Sequence, residues 1–343
     1  METAKEPLFG KTLDELAAIA AGCGLPKFAA RQIAGWLYKN PVGTIEGMSN
    51  LSKKNRELLN EKYEIGTNRP VKVQISNDGT RKYLFATAKH QFIETAMIPE
   101  EDRTTVCVSS QVGCKMGCLF CMTAKQGFQG QLSAGEIVNQ VCSIDEAASV
   151  SNIVYMGMGE PFDNLDEVMK SVEILTSDWG FGMSPRRITV SSIGIVPSMQ
   201  RFLAECNANL AISLHTPFDE QRKSLMPVQI AYPIREVVEE LRKWDFSGQR
   251  RVSFEYILFK GLNDTSLHVK ELSRLLNGIR CRINLIRFHP VPGTPLVSPD
   301  DETILHFKNQ LNDKGLLTTI RASRGQDIYA ACGLLSTKEQ NKN

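Results

Sequence analysis

Three cysteines lie within one stretch of eight residues, CKMGCLFC, at the spacing C-x3-C-x2-C. A structural zinc ion is held by four closed tetrahedral ligands, usually in paired C-x2-C units, and no second pair follows here. A [4Fe-4S] cluster is normally held by four thiolates, so Cys114, Cys118 and Cys121 would leave one iron open to a small-molecule ligand. The spacing therefore favours such a cluster, and a zinc site with Cys107 or Cys142 as fourth ligand is the alternative.

The composition is that of an ordinary globular protein rather than a secreted or membrane protein. The chain has 343 residues, 42% of them hydrophobic and 23% charged, and a formal net charge of +2. The N-terminal stretch METAKEPLFGKTLDEL is charged, and no apolar run approaches the roughly 20 residues that span a bilayer. We therefore expect a cytoplasmic protein with reduced thiols and no membrane contact. The net charge is too small to argue for nucleic acid by itself.

The first third of the chain changes from helical to strand periodicity. The run Thr12-Leu13-Asp14-Glu15 matches a helix capping box, and residues 27–38 and 51–63 follow as further helices. After residue 70 apolar and polar residues alternate on both sides of Asn77-Asp78-Gly79, which predicts a hairpin, and residues 92–98 form another strand. We predict a helical accessory domain over residues 1–66 and a β-hairpin linker over residues 67–103.

From residue 104 onward, short apolar strands alternate with helices. The predicted strands cover residues 105–109, 152–156, 187–191, 208–214, 252–257, 283–288 and 318–321, with helices such as 133–148 and 233–244 between them. This rhythm is typical of an α/β protein with a parallel sheet, whose functional residues lie at the carboxyl ends of the strands. The domain would span residues 104–335, followed by a polar tail over 336–343.

Polar residues and glycines follow these strands at the predicted functional edge. Glycine allows close approach of the backbone to a ligand, a carboxylate suits a cationic amine, and hydroxyls suit a ribose or a carboxylate. The candidate ligand-binding residues are Gly159, Glu160, Ser191, Ser213, Leu214 and His215. Taken alone, the residues at 191 and 213–215 are better explained as strand-end caps, and the Gly159-Glu160 pair is a weak signal.

The cysteine stretch, placed directly after the first barrel strand, resembles the radical S-adenosylmethionine (SAM) superfamily. The stretches CVSSQVGCKMGCLFC, MGMGEP, SPRRITVSSIGIVP, LAISLHTPFDEQRKSLMP and RGQDIYAACG together resemble the bacterial dual-specificity adenine-C2 RNA methyltransferases, from about residue 10 to 335. The resemblance implies a partial (βα)6 radical-SAM barrel, a [4Fe-4S] cluster on Cys114, Cys118 and Cys121, and SAM as second cofactor. It also implies 23S rRNA and tRNA as substrates and a flavodoxin- or ferredoxin-like electron donor.

The same resemblance assigns reacting residues. Cys332 would take a methyl group from one SAM and become S-methylcysteine. A deoxyadenosyl radical from a second SAM would remove a hydrogen from that methyl group, and the resulting carbon radical would add to adenine C2. Cys107 would then form a transient disulfide with Cys332 and release the product. The position of the family's proton acceptor is Glu94, for which a surface carboxylate is the alternative interpretation.

The chain departs from the family pattern at two positions. His289 stands where relatives often carry an asparagine that contacts SAM, and Tyr329 stands where they often carry an aspartate. Neither change removes a reacting group, but an imidazole makes the protonation state of the SAM site a variable.

Other functions and RNA-binding surfaces stay open at this level. The alternatives are a C8 methyltransferase of the same ribosomal adenosine, a radical SAM enzyme of different output and a zinc-stapled RNA-binding module. The candidate RNA contacts are Lys27, Arg31, Lys53, Lys54, Arg56, Arg186 and Arg187.

Overall fold

One large sheet organises the molecule. The computed structural model describes residues 5–248 and 250–328. Within that range, the largest sheet has ten strands, and its first three strands run antiparallel while the rest run parallel. Two short two-stranded sheets lie apart from it.

The strands and helices are numbered in chain order. The strands are β1 Glu6–Pro7, β2 Tyr63–Glu64, β3 Lys72–Ile75, β4 Arg81–Ala86, β5 Phe92–Pro99, β6 Thr104–Cys107, β7 Gln111–Val112, β8 Gly130–Gln131, β9 Val150–Tyr155, β10 Ile188–Ser192, β11 Asn209–Ser213, β12 Val252–Leu258, β13 Cys281–Arg287 and β14 Thr318–Ile320. The helices are α1 Leu13–Gly22, α2 Ala29–Ala34, α3 Lys53–Lys62, α4 Met122–Lys125, α5 Ala134–Cys142, α6 Leu165–Thr176, α7 Val196–Glu205, α8 Asp219–Leu225, α9 Ile234–Leu241, α10 Ser266–Leu275 and α11 Asp301–Asp313.

The large sheet follows the chain almost strictly in order. Its strand order is β14-β13-β12-β11-β10-β9-β6-β5-β4-β3, and strands β6 and β9–β14 pair in parallel. The strand β12, VSFEYIL, is buried at all but one position, as expected where both faces of a parallel sheet are covered. Helices α5 to α11 connect the parallel strands. The predicted partial barrel is confirmed, and the carboxyl ends of its strands meet at one edge.

The segment predicted as a hairpin linker is part of the barrel sheet. The strands β3, β4 and β5 form an antiparallel meander, and β5 pairs with β6 through Ala96 opposite Cys107. Lys82 lies opposite Ala96 on the other side of β5. The meander is therefore hydrogen-bonded to the barrel strands, a connection that the sequence pattern does not show. The division into a linker and a barrel domain at residue 103 stays a prediction.

The helical N-terminal segment packs on the outside of the barrel. Its capping box is present, with Thr12 accepting from the Glu15 N–H at 3.3 Å and donating its own N–H to that carboxylate at 2.7 Å. The second helix is shorter than predicted, because α2 gives way to a π-helical turn at Gly35–Lys39. The Tyr38 ring packs against Trp179, which follows α6. The segment and the barrel thus share one hydrophobic core.

Among the described residues, no helix is both long enough and apolar enough to cross a membrane.

Candidate active site

The three clustered cysteines lie in the loop between β7 and α4. Cys114 and Cys118 are buried, and Cys121 caps α4 at its amino end. Burial raises the pKa of the Cys114 and Cys118 thiols, and the nearby Cys121 raises both further. A group that binds them as thiolates must therefore supply compensating positive charge, as iron does.

Gly113 makes the close packing of this loop possible. Its φ is +70°, and a Cβ added there would lie 1.7 Å from the Gly127 carbonyl oxygen. Gly127 has the same φ of +70°, but a Cβ added there would meet nothing within 4 Å. Substitution of either glycine by alanine would strain the backbone, but only substitution of Gly113 would also cause a steric clash.

We expect Gly113→Ala to lose the metal centre and Gly127→Ala to retain it. The first variant adds a backbone clash to the cost of a left-handed alanine, whereas the second adds only that cost, about 1 kcal/mol. The measurement is iron bound per chain after anaerobic reconstitution, together with the melting temperature. Equal iron content in the two variants would show that the loop adapts to the added carbon.

The three thiols line one cavity of about 250 Å³ together with Gly159, Ser191 and Ser213. Within the described ranges, no three His, Cys, Asp or Glu side chains converge closely enough to hold a single metal ion. A cubane cluster instead uses one thiolate at each of three separate iron corners. Cys142 does not complete a zinc site here, because its thiol lies on α5 against the Asn139 carbonyl at 3.8 Å. The residues present fit a three-thiolate cluster with room for a ligand beside it.

Glu160 is fully engaged in shaping the loop after β9. Its carboxylate accepts the Phe162 N–H at 3.0 Å and the Ile193 N–H at 3.1 Å. Burial raises the pKa of Glu160 to about 7, against the opposing effect of these hydrogen bonds. Gly159 beside it has a φ of +99°, and a Cβ there would lie 2.5 Å from Gln111. Contact of Gly159 and Glu160 with the SAM amine stays a prediction.

The residues predicted after β10 and β11 divide into two groups. Ser191, Ser213 and His215 line the cavity of the three thiols. Leu214 does not line it, because its side chain is fully buried in the core and its N–H donates to the Glu255 carbonyl at 3.0 Å. A ligand contact by Leu214 stays a prediction.

His215 is held as a neutral imidazole. It is buried, with a φ of +58°, and its Nδ1 accepts the Ile257 N–H at 3.0 Å. Burial lowers the pKa of His215 to about 3, and the Arg222 cation adds to the effect. The ring therefore does not titrate near neutral pH.

The lowered pKa of His215 predicts a pH dependence of stability. As the pH falls below 6.5, the His215 side chain takes up a proton in the unfolded state but not in the folded state. The contribution of His215 to the free energy of unfolding is therefore highest above pH 6.5 and decreases progressively towards pH 3. Between pH 7 and pH 5 the cluster-free wild type should lose about 2 kcal/mol more unfolding free energy than His215→Asn. Asparagine tolerates the positive φ and can still accept a hydrogen bond. Urea unfolding at both pH values measures this, and parallel losses in the two proteins would refute it.

A second cavity, of about 370 Å³, adjoins the first. The two share Cys121, Met156 and Ile257 among their lining residues. Glu94 and Cys107 both line the second cavity. Cys107 lies opposite Ala96, and Glu94 is two residues from Ala96 along β5, so both side chains point to the same face of the sheet. The structure thus brings the predicted proton acceptor and the predicted resolving thiol together.

Glu94 is not a surface carboxylate. Its Oε2 lies 2.5 Å from the Lys82 ammonium, and both side chains are at most 2% exposed. The alternative interpretation of Glu94 is therefore wrong, and sequence reasoning missed Lys82 entirely. The sequence places Lys82 and Leu84 on the same face of strand β4. It does not show that this face is buried in the folded protein.

Cys332 and Tyr329 lie outside the described residues. The described part of the same segment reaches the second cavity, which Arg324 lines. The Gly325 N–H donates to Asp78 at 2.8 Å, and Asp327 accepts the Ser76 hydroxyl at 2.5 Å.

His289 lines the second cavity rather than the first. It is half-buried, and burial, together with the nearby Arg287 cation, lowers its pKa. The neutral imidazole is therefore favoured, and its contact with SAM stays a prediction.

The basic residues predicted to contact RNA lie in two different parts of the fold. Arg186 and Arg187 precede β10 at the amino end of the parallel strands, whereas the two cavities adjoin the carboxyl ends. Lys53, Lys54 and Arg56 lie on α3 in the N-terminal segment. The first pair is thus an unfavourable candidate for contact with RNA near the site.

Comparison with known proteins agrees with this geometry. The radical SAM superfamily profile matches residues 108–272, and the profile of the ribosomal RNA large subunit methyltransferase N-terminal domain matches residues 7–65. A probable dual-specificity RNA methyltransferase RlmN of Phocaeicola vulgatus is 57% identical over 100% of this chain and 98% of that protein. The dual-specificity RNA methyltransferase RlmN of Syntrophus aciditrophicus is 43% identical over 95% of both chains.

A solved structure extends the match to three dimensions. The radical SAM methyltransferase of Sphaerobacter thermophilus superimposes with a TM-score of 0.89 at 42% identity, covering 96% of this chain and 98% of that one. With matches of this identity along nearly its whole length, the chain belongs to the RlmN family of radical SAM RNA methyltransferases.

Proposed function

We propose that this chain methylates carbon C2 of an adenosine in 23S rRNA and of an adenosine in tRNA, through S-methylcysteine at Cys332 and a transient disulfide with Cys107. The observation that carries the proposal is the joint placement of Glu94 and Cys107 in a cavity continuous with that of the three cluster cysteines. The names of the full-length relatives, dual-specificity RNA methyltransferases, support the substrate class.

The chemistry of adenine explains why the methyl group cannot pass directly from SAM to carbon C2. Carbon C2 is electrophilic, so it cannot attack the electrophilic methyl group of SAM directly. When bound, the cluster and SAM supply an electron, a methyl group and a carbon radical. Cys114, Cys118 and Cys121 would hold the cluster, and the backbone at Gly159 would lie against SAM. The second cavity would hold the adenine.

Glu94 serves as the proton acceptor in this proposal. The adjacent Lys82 ammonium, 2.5 Å away, holds the almost fully buried carboxylate in place. When Glu94 accepts the C2 proton, its ion pair with Lys82 is lost, and the proton must leave Glu94 before the next turnover. The pair is thus suited to transient proton storage.

Cys107 completes the reaction. After the C2 proton has left, the surplus electron of the adduct would be returned to the cluster. The Cys107 thiolate then attacks the sulfur of Cys332, the bond between that sulfur and the methylene carbon on adenine breaks, and this carbon takes up a proton to become the methyl group while the two cysteines form a disulfide. The contacts of Gly325 and Asp327 with the β3–β4 turn hold the preceding segment at the cavity. A two-electron reductant must then regenerate both thiols.

We further propose a flavodoxin- or ferredoxin-like protein as electron donor and the cytoplasm as location. A low-potential cluster needs such a donor, and ribosomal RNA substrates together with reduced thiols are typical of that compartment.

The basic residues of α3 are the proposed RNA contact. Replacing Lys53, Lys54 and Arg56 together with glutamine should weaken RNA binding and reduce the slope of log K against log salt by about 2 to 3, because each phosphate contact releases counterions. The Lys53 side chain is 86% exposed, whereas Arg56 donates a hydrogen bond to the Glu46 carbonyl at 2.6 Å, so the melting temperature of the variant is measured alongside its RNA binding. Filter binding at several salt concentrations measures the slope.

A matched control neutralises Arg186, Arg187 and Arg251, which precede strands β10 and β12 at the opposite end of the barrel. This variant should keep the wild-type slope. If the slope of log K against log salt decreases in the control variant and is unchanged in the α3 variant, RNA contacts the amino ends of the strands instead.

The function itself is tested by mass spectrometry of RNA. Ribosomal and transfer RNA from cells with and without the protein should differ in 2-methyladenosine. Appearance of 8-methyladenosine instead would identify the chain as a C8 enzyme, and unchanged RNA would refute the proposal.

A further inference from the structure

Glu255 lines the cavity of the three thiols, and one of its two carboxylate oxygens has no hydrogen-bond partner. The residue is 3% exposed and lies in the middle of β12. Its Oε1 accepts the Asn284 amide at 2.8 Å and the Ser253 hydroxyl at 3.1 Å. Its Oε2 is buried without a hydrogen-bond partner. The Arg321 Nη1 lies 3.9 Å from Oε2, which is beyond hydrogen-bond distance.

A row of polar side chains holds this carboxylate in place. Ser213, Glu255, Asn284 and Thr319 are successive register partners across β11 to β14, so their side chains share one face of the sheet. The Thr319 hydroxyl donates to Asn284 at 2.9 Å, and Asn284 donates to Glu255. The orientation of the carboxylate is therefore fixed before any ligand arrives.

An oriented, buried acceptor without a donor costs about 1–3 kcal/mol and needs a reason. Charge-assisted hydrogen bonds to a ligand hydroxyl would recover that cost. Acidic side chains bind ribose hydroxyls in this way in dinucleotide-binding folds. We therefore expect a bound ligand to donate a hydrogen bond to Oε2 of Glu255.

We infer that Glu255 binds the ribose hydroxyls of SAM, an inference that rests on the proposed use of SAM at this site. The neighbours of Glu255 support the ribose rather than the methionyl amine. Ile257 and Ile286 follow Glu255 and Asn284 on the same sheet face towards the strand ends, so the row of polar side chains borders an apolar surface in the same cavity. In SAM the ribose likewise joins a polar methionyl group to a flat, partly apolar adenine.

The inference makes Glu255 a positioning residue for SAM. A fixed ribose would hold its C5′ carbon between the cluster and the second cavity, where the radical must act. Loss of the carboxylate should thus weaken binding through the ribose alone and leave recognition of the amino acid group intact.

The test is anaerobic titration calorimetry of cluster-loaded, RNA-free protein with SAM, 2′-deoxy-SAM and 3′-deoxy-SAM. Wild type should bind at least one deoxy analogue ten- to hundredfold more weakly than SAM. Glu255→Gln should bind SAM ten- to hundredfold more weakly and should lose this discrimination. The exposed Glu236→Gln on α9 is the control and should behave as wild type.

The outcomes separate the alternatives. If Glu255→Gln keeps full discrimination between SAM and its deoxy analogues, the inference is wrong. If the variant instead loses discrimination against a SAM analogue without the α-amino group, the carboxylate binds the amine and the ribose assignment is overturned. Should Glu255→Gln fail to hold iron, Asn284→Ala, which frees the carboxylate, must show reduced discrimination. Failure of RNA methylation by the wild type would refute the proposed function without changing these binding results.

Discussion

A Cys107→Ala protein should accumulate RNA covalently attached to the chain. In the proposed reaction the adenine stays bonded to the sulfur of Cys332 until a second thiolate attacks that sulfur, and the Cys107 thiol lines the cavity where this occurs. The earlier steps do not need Cys107, so the adduct forms and cannot be released. Turnover should fall on the order of a thousandfold or more, since no other group replaces a nucleophile.

The measurement is a denaturing gel of protein incubated with RNA, SAM and reductant, with a nuclease-treated lane. Cys142→Ala is the matched control, because that thiol lies on α5 and lines neither cavity. Wild-type turnover by Cys107→Ala without attached RNA would exclude the resolving role. Attachment that survives the further change Cys332→Ala would reject Cys332 as the methyl carrier.

Lys82→Met should destabilise the fold strongly. The Lys82–Glu94 pair is almost completely buried, and removal of Lys82 takes away the cation that lies 2.5 Å from the buried Glu94 carboxylate. Breaking a buried pair in this way costs about 3–5 kcal/mol. Replacing both partners, as in Lys82→Met with Glu94→Leu, should recover much of the loss, because a buried ion pair and an apolar pair of similar size differ little in stability.

Unfolding free energies from urea titration measure both effects. Lys170→Met is the control, because its pair with Glu15 is partly exposed and should contribute at most about 1 kcal/mol. If the double variant is as unstable as Lys82→Met alone, the charge of Glu94 is not the cause and Lys82 stabilises the fold through other contacts. The double variant should remain inactive in RNA methylation whatever its stability.

The sequence was sufficient for the cluster loop and for the strands of the barrel. The spacing of Cys114, Cys118 and Cys121 carries its chemistry locally, and each predicted barrel strand overlaps an observed one, because apolar runs between turn signals mark buried strands. The boundaries shifted by one or two residues, and helix α5 ends at Cys142, six residues before its predicted end.

The parts that depend on tertiary packing were not predictable. Lys82 stands in a strand where lysine normally marks the solvent face, and only the closure of the second cavity makes that face an interior. The unsatisfied oxygen of Glu255 likewise follows from the register of β12 with β13. Leu214 was predicted to bind a ligand from its place at the end of a strand, yet its side chain belongs to the core.

Iron and acid-labile sulfide per chain, measured after anaerobic reconstitution, test the central claim most directly. A cluster held by three thiolates predicts about four irons and four sulfides per chain in the wild type, and loss of both in Cys118→Ala. Zinc bound in their place, with neither iron nor sulfide retained, would contradict the account.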